Sequence, residues 1–541
     1  MSDLHHFILV EGVNLYANIY DTDQLSVIRG SSFLYKDAIE TIKESFKDHV
    51  VCISSGASSG LFLLKGGDAA QTVAAIKSKL TTPDSNQPFH LLTFMVVHTK
   101  ANDLLAAKEQ LYTQLRLGQL QSLTLQPDRE TTGKGQFSTI PCGLSGSRIA
   151  ASYEKTIQSD NKKTLSASIF QRWNYGRDSK KNYYAQQVND TELQSWLDHF
   201  GFAEDIDTLC KVDAQKLNNK MAVVYLDGNG FSARQRKFLE SAGGEVHQQI
   251  TNQKAFDDTI QAQRKQFLTE TLRYLLPKQW NDMIRLETLL WGGDEMLLVM
   301  PAWEGFDFLQ RFFAFNWHLA NGEIGGDTTL THAAGIVFCQ ANTPIRIIQK
   351  LARELADGVK DISRKENGWD YLVLESVDYP TNESLSGYFK ERYGEILAKC
   401  RKGLLPATPD WEQQKVELDD FLSGNAISRG QLYQIVQAIK LSYHPDKGEG
   451  AGESNSHSWA AVIRLEEKAL LAHPQAQAEH RMFEVSEDKA FLQSSLPDKA
   501  KVWFGIEDFD NPQQRAWCWI HLLELWDYLI PRQNEKAQEG Q

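Results

Sequence analysis

Paired cysteines are missing from this chain of 541 residues: Cys52, Cys142, Cys210, Cys339, Cys400 and Cys518 stand singly, without metal-ligand spacing or a disulfide framework. The pattern excludes a small stapled secreted fold and predicts free thiols in a reducing compartment. Proline is scarce, with 15 residues, while hydrophobic and charged residues make up 42% and 23%, the profile of a folded protein rather than a disordered one. Long apolar runs are lacking too. The strongest, WCWIHLLELWDYLI, carries two carboxylates and a histidine and is shorter than the ~20 residues of a membrane span. The opening MSDLHHFILVEGVNLY has no basic start or signal-like apolar stretch, so no membrane contact and a cytoplasmic location are expected. Positive charge is in deficit: a formal charge of −13 excludes a protein that coats nucleic acid over its whole surface, because such binding rests on counterions released from neutralised phosphates. Any nucleic-acid contact must be local or made through partners.

The length exceeds what one core organises, so several domains are expected. Residues of about 1–130 alternate apolar runs (FILVEGVNLY, VVCISSG, LFLLK, HLLTFMVVH) with helical patterns (YKDAIETIKESF, AAQTVAAIKSKL, DLLAAKEQLYTQL), an α+β signature. Residues of about 131–215 are polar, and TTGKGQFST, GLSGSR and GRDSKKNYY break any long period, which predicts a connecting insert. From about 216 to 380 the order is strand MAVVYLD, a helix over roughly 249–276, strand IRLETLLW, Gly-Gly, strand MLLVMP, helix FDFLQRFFAFNWHL, strand THAAGIVF and helix PIRIIQKLARELADGVK. That is the split β-α-β-β-α-β arrangement with an added helix, and the first unit reads similarly. Residues of about 381–541 read as helices. The fold class expected is α+β: two ferredoxin-like palm domains and a mostly helical C-terminal domain.

The chemistry concentrates at two turns. Strand MAVVYLD ends at Asp227 and enters Gly228-Asn229-Gly230, whose glycines permit close backbone approach. Gly292-Gly293-Asp294-Glu295 sits between two apolar strands as a hairpin tip. The strand order predicts that Asp227 and Asp294 face each other across neighbouring strands. Oxygen ligands alone suit Mg²⁺ (or Mn²⁺), which shares its coordination with water and substrate phosphates. Glu295 either ligates or shapes the tip. Lys360, at the end of its helix and followed by Arg364 and Lys365, is placed to hold a triphosphate, although the helix dipole also favours cations there. A bland alternative is that DGNG and GGDE are ordinary turns.

The residues MAVVYLDGNG, LLWGGDEMLLVMPAW and LTHAAGIVFCQANTPIRIIQKLARELADGVK resemble the second palm domain of the large subunit of type III CRISPR effector complexes, and more distantly GGDEF diguanylate cyclases. FILVEGVNLYANIY, LSVIRGSSFLY and VVCISSGASSGLFLL are similar to the first palm of that subunit, with Arg29-Gly30-Ser31-Ser32-Phe33 where the family has an Arg-Gly-x-Ser-Phe loop. The resemblance implies a cyclase-polymerase, a nucleotidyltransferase that joins ATP into cyclic oligoadenylates in antiviral defence, with other CRISPR subunits and guide or target RNA as partners. It implies Asp227 and Asp294 as metal ligands, Glu295 where the family usually has Asp, and Gly228, Gly292 and Gly293 beside the phosphates. It also implies Lys360 on the triphosphate, and Ser31, Ser32 and Ser58 near a second nucleotide. The departures are a missing HD nuclease domain, there being no His-Asp dipeptide, and a zinc element reduced to Cys142. They keep two alternatives open: a catalytically weak structural large subunit of a guide-RNA complex, and a cyclic dinucleotide synthase of the GGDEF kind.

Two further motifs carry less. IKLSYHPDKG resembles a co-chaperone His-Pro-Asp loop but lacks a basic helix face beside it. RAWCWIHLLELWDYLIP is the candidate interface helix, although aromatic residues at helical spacing more often mark a core.

Overall fold

The computed structural model describes residues 4–122, 140–151, 153–156, 162–188, 190–211, 216–279, 281–319, 329–374, 384–401, 403–404, 416, 428–443, 462–465, 501 and 503–529. The His-Pro-Asp loop and Arg364 to Lys365 fall on either side of that boundary: the former lies outside the described residues, the latter in an exposed bend after a helix.

The first sheet contains β1 (His5–Gly12), β2 (Val50–Ser55), β3 (Ser59–Leu64) and β4 (Phe94–Ala101) in the order β2-β3-β1-β4. Helices α1 (Leu15–Ile19), α2 (Leu25–Ser45), α3 (Ala69–Thr81) and α4 (Leu104–Gln121) complete the β-α-β-β-α-β unit. Next come hairpin β5 (Tyr153–Thr156) and β6 (Lys162–Leu165), helices α5 (Ala167–Gln187), α6 (Thr191–His199) and α7 (Ile206–Cys210), and the short β7 (Gly201–Phe202).

The second sheet is built from β8 (Lys220–Gly228), β10 (Glu287–Gly292), β11 (Glu295–Pro301), β12 (His332–Gln340) and β13 (Gly368–Val373), with the two-residue β9 (Met283–Ile284) pairing with β7 instead. Its order, β10-β11-β8-β12-β13, is the ferredoxin-like order with β13 added parallel to β12. Helices α8 (Phe231–Glu240), α9 (Val246–Leu275), α10 (Ala302–Ala314) and α11 (Ile345–Ile362) connect the strands. Every residue of β8 is buried, as expected of a central strand covered on both faces. On α11, Ile345, Ile348, Leu351, Ala352, Leu355, Ala356 and Val359 recur at helical spacing and form the face that packs on β12.

Three local expectations change. The Arg-Gly-x-Ser-Phe segment is not a loop but the interior of α2, which continues unbroken into YKDAIETIKESF. Glycine there costs helix stability, yet it is required: a Cβ on Gly30 would lie 1.9 Å from the Arg172 carbonyl, and one on Gly176 1.9 Å from the Ser26 carbonyl. The two glycines are where α2 and α5 cross backbone to backbone. GRDSKKNYY, read as a period breaker, runs inside α5, because its buried positions are set by that crossing rather than by an apolar stripe. GWDYLV was not anticipated as a strand and forms β13.

The C-terminal part is helical where described, with α12 (Leu385–Tyr393), α13 (Glu395–Cys400), the helix Arg429–Ser442 and the helix Pro512–Leu529. The last is core rather than an exposed interface: Trp517, Trp519, Leu522, Leu525 and Leu529 are buried, and His521 meets the Tyr371 hydroxyl of β13 at 2.8 Å. No helix among the described residues is long and apolar enough to cross a membrane.

One buried cluster joins the two sheets. Glu287 at the start of β10 takes Arg29 of α2 at 2.5 Å and Lys180 of α5 at 2.8 Å, all within 8% exposure. Removing one partner of a buried ion pair typically costs 3–5 kcal/mol, because the other charge is left without compensation. Glu287→Gln should therefore lower unfolding stability by about 3 kcal/mol or more, read as a shift in the urea midpoint at unchanged slope.

Candidate functional site: carboxylates at the tip of the second sheet

β8 carries Asp227 to the end of the sheet, and β11 begins beside it. The register pairs Asp227 with Glu295, not with Asp294. Asp294 occupies the turn, one residue earlier, and its carbonyl accepts the Gly228 N–H at 3.2 Å. The turn closes over two residues because Gly293 takes φ +53°, the left-handed region that glycine enters freely. Gly228 is sterically required: a Cβ there would meet the Phe231 ring at 2.3 Å and the Asp294 Cβ at 2.9 Å.

Each carboxylate has a different environment. Asp227 is 12% exposed at its side chain and pairs with Lys360 at 2.5 Å, while the same ammonium donates to the Gly228 carbonyl at 2.9 Å. Glu295 pairs with Arg353 of α11 at 3.1 Å, partly open to solvent. Lys360 and Arg353 lie two helical turns apart on α11, so one helix face serves both strands. Asp294 has its carboxyl pushed up to about 6, first by burial and then by the charge of Asp227, with Glu295 adding to it and Lys360 opposing it. Behind the tip, His332 is buried among Phe231, Phe312 and Trp317, and burial together with Lys360 pushes its imidazole down to about 3. It is neutral at any ordinary pH.

The hairpin tip also meets the first sheet. A Cβ on Gly292 would lie 2.0 Å from the Cβ of Ala57, so the tip rests on the β2–β3 turn. Beside this contact opens a cleft of about 380 Å³, lined by Gly292, Gly293 and Asp294, by Ser55, Gly56 and Ala57, and by cations on α2 and α9. Arg264 of α9 is 6% exposed; its guanidinium donates to the Gly293 carbonyl at 3.1 Å and stacks over Trp291 at 4.9 Å.

The structure thus brings Asp227, Asp294, Glu295, Gly228, Gly292, Gly293 and Lys360 to one end of the sheet. It does not bring Ser31 and Ser32 there. Ser31 is fully buried in α2, donating to the Val27 carbonyl and accepting from Arg172 at 2.8 Å, and Ser32 is 7% exposed in the same helix. Ser58 is in the β2–β3 turn, next to the residues that line the cleft, and its carbonyl accepts the Gly12 N–H. The sequence reasoning missed Arg264 and Arg353. Arg264 had a signal: it interrupts the apolar stripe Phe256, Ile260, Phe267, Leu268 at helical spacing.

Among the described residues no three His, Cys, Asp or Glu side chains converge on one point as a metal site. The tip offers Asp294 in the turn and Asp227, whose present partner is the Lys360 ammonium. Hard oxygen donors few in number fit an ion that keeps water and substrate phosphates in its shell, which is the habit of Mg²⁺.

No family model matches the sequence, and no curated protein is similar to it. Among solved structures the chain is similar to a Csm1–Csm4 cassette in complex with cA4, at 12% identity over 88% of this chain and 68% of that one, with a TM-score of 0.44. It is also similar to Csm1 of T. onnurineus, at 14% identity over 88% and 67%, TM-score 0.42. A third is a type III-B Cmr-beta apo structure, at 9% identity over 87% and 78%, TM-score 0.43. At such scores what the site does rests on its own geometry.

Because Asp294 holds its proton more tightly in the folded state than in the unfolded chain, its contribution favours folding below about pH 4 and is lost as pH rises through about 6. Without divalent metal, Asp294→Asn should raise stability at pH 7 by about 1–2 kcal/mol and leave it nearly unchanged at pH 4. Paired thermal melts at the two pH values check this.

Proposed function

We propose that the chain is a divalent-metal-dependent nucleotidyltransferase of the palm type that joins ATP into cyclic oligoadenylates, acting in CRISPR type III-like antiviral defence with other subunits and with guide or target RNA reached through them. The observation that carries the reading is the coupled pair Asp227 and Asp294 at the tip of a ferredoxin-like sheet, opening on a cleft of about 380 Å³. A buried carboxylate whose proton affinity is raised further by a neighbouring carboxylate marks a place where a cation is wanted.

Asp227 and Asp294 would hold Mg²⁺, which when bound neutralises phosphate charge and lowers the pKa of an attacking hydroxyl. Lys360, which now pairs with Asp227 from the α11 side of β8, would contact the same phosphates. Gly292 and Gly293 at the cleft, with Gly228 beside them, would admit the phosphates, while Phe231, Phe256 and Ile260 give the cleft an apolar wall. The choice of adenine over other bases belongs to the resemblance; no residue on the cleft wall is assigned to reading it.

The Arg353–Glu295 pair supports a second reading. A carboxylate already neutralised by a guanidinium is a poor ligand, as in a palm kept for scaffolding, or one whose chemistry is slow. Variants at 295 separate these. If Glu295 ligates metal, Glu295→Gln should cost far more activity than Glu295→Asp; if it serves only Arg353, both should stay within several-fold of the parent.

Labelled ATP with Mg²⁺, with and without activating RNA, tests the main reading by product separation. Asp294→Ala and Asp227→Ala should each reduce product formation by 100-fold or more, and the double variant should be no worse than the singles, because both residues serve one function. Retention of more than a few per cent of activity by either variant would overturn the assignment.

A further inference from the structure

The cleft at the hairpin tip does not end there. A second cavity, of about 340 Å³, runs along the whole of β2 from Val50 to Ser55, and Lys43, Ser55, Asp257 and Gln261 line both spaces. β2 is the outer strand of its sheet, so this groove follows a sheet edge between the C-terminal end of α2 and the middle of α9. Taken together, the walls carry seven cations, Lys36, Lys43, Lys47, Lys65, Lys254, Arg264 and Lys265, against the five carboxylates Glu40, Glu44, Asp257, Asp258 and Asp294. In a chain of −13 this is a local reversal of sign.

Two details point to an anionic occupant. Arg264, at the inner end, is 94% buried, yet its Nε has no hydrogen-bond partner, and burial pushes its guanidinium down to about 10. Arg264 lines the cleft, and a buried cation with an unused donor is stabilised by an anion brought beside it. Asp257, at the junction of the two spaces, is held by the amide of Gln253 at 3.1 Å, and burial raises its carboxyl. At the outer end Lys47, Lys65 and Lys254 are exposed, and the Lys65 ammonium donates to the Lys47 carbonyl at 2.6 Å.

We propose that cleft and groove form one continuous track that holds the phosphate backbone of a short oligonucleotide, with Arg264 and Lys36 at its inner end and Lys47, Lys65 and Lys254 along its outer arm. The proposal rests on the nucleotidyl-transfer reading, since it supplies a place for a chain longer than one nucleotide. A single nucleotide fills the inner space alone. A chain needs the outer arm as well, and a row of cations spaced along a groove is how single strands are held without reading their sequence.

The experiment compares ligands on the full chain. Fluorescence anisotropy measures binding of 5′-phosphorylated tetra-adenylate and of a non-hydrolysable ATP analogue, in Mg²⁺, to the parent and to the triple variant Lys47→Glu, Lys65→Glu, Lys254→Glu. All three positions are exposed, so the fold should be retained, and melts confirm it. The expected result is a loss of tetra-adenylate affinity of tenfold or more, a salt dependence shallower by about two phosphates' worth, and ATP-analogue affinity within twofold. Unchanged tetra-adenylate affinity in the variant overturns the track. So does poly-glutamate binding the parent as tightly as tetra-adenylate, which would mark a seat for an acidic peptide. A parent that binds the ATP analogue but not tetra-adenylate overturns the track and leaves the nucleotidyl-transfer reading standing; a parent that binds neither overturns both.

Discussion

The placement of the tip depends on one buried carboxylate. Glu287 stands at the first residue of β10 and is shared by Arg29 of α2 and Lys180 of α5, while Gly292 stands at the last residue of the same strand and rests on Ala57 of the first sheet. A single strand is thus pinned to the first unit at both ends, once by charge and once by the absence of a side chain. The pinning is specific rather than cheap. Two cations and a carboxylate taken out of water lose solvation that only good geometry returns, and here burial still drives the Lys180 ammonium down to about 8. An apolar cluster of the same volume would tolerate sliding; a bifurcated ion pair sets which residue of β10 meets α2.

With β10 fixed, the charges at the tip sort by face. Cations reach Asp227 and Glu295 from α11 on one side, and Arg264 reaches the Gly293 carbonyl from α9 on the other. Asp294 lies between these sets, and burial first, then the charge of Asp227, raise its proton affinity against the opposing pull of Lys360. The arrangement concentrates the uncompensated negative charge at the turn, on the side that opens into the cleft. The carboxylate with the raised proton affinity is therefore the one that lines the cleft.

Much of this was legible because strands and hairpins leave short-range marks. MAVVYLD is a continuous apolar run ending at a carboxylate, and Gly-Gly between two apolar strands announces a turn, so Asp227 and the hairpin could be found without a structure. Register could not. Whether Asp227 meets Asp294 or Glu295 depends on which residue of GGDE closes the turn, a difference of one residue that moves a side chain to the other face. The helical course of LSVIRGSSFLY was hidden for a different reason. Its glycine and serines read as loop chemistry, and their tolerance comes from a crossing with α5 more than a hundred residues away; Ser31 and Ser32 went into the core with it. β13 was hidden because GWDYLV owes its strand to the parallel edge that β12 offers.

The register also bears on why a glutamate stands at 295, where the resembling family usually has aspartate. Because Glu295 is the in-register neighbour of Asp227, its side chain projects on the α11 side of the sheet, toward Arg353. The pair closes at 3.1 Å. An aspartate on the same backbone would fall short by roughly the ~1.5 Å of one carbon-carbon bond, leaving Arg353 free to compete with Lys360 for Asp227. The longer side chain therefore does two things at once: it draws the guanidinium away from the strand end, and it leaves Asp227 with a single ammonium partner on a flexible stem, which can move to a phosphate more readily than a forked guanidinium can. On this argument the extra methylene is part of how Arg353 is kept off the Asp227 carboxylate.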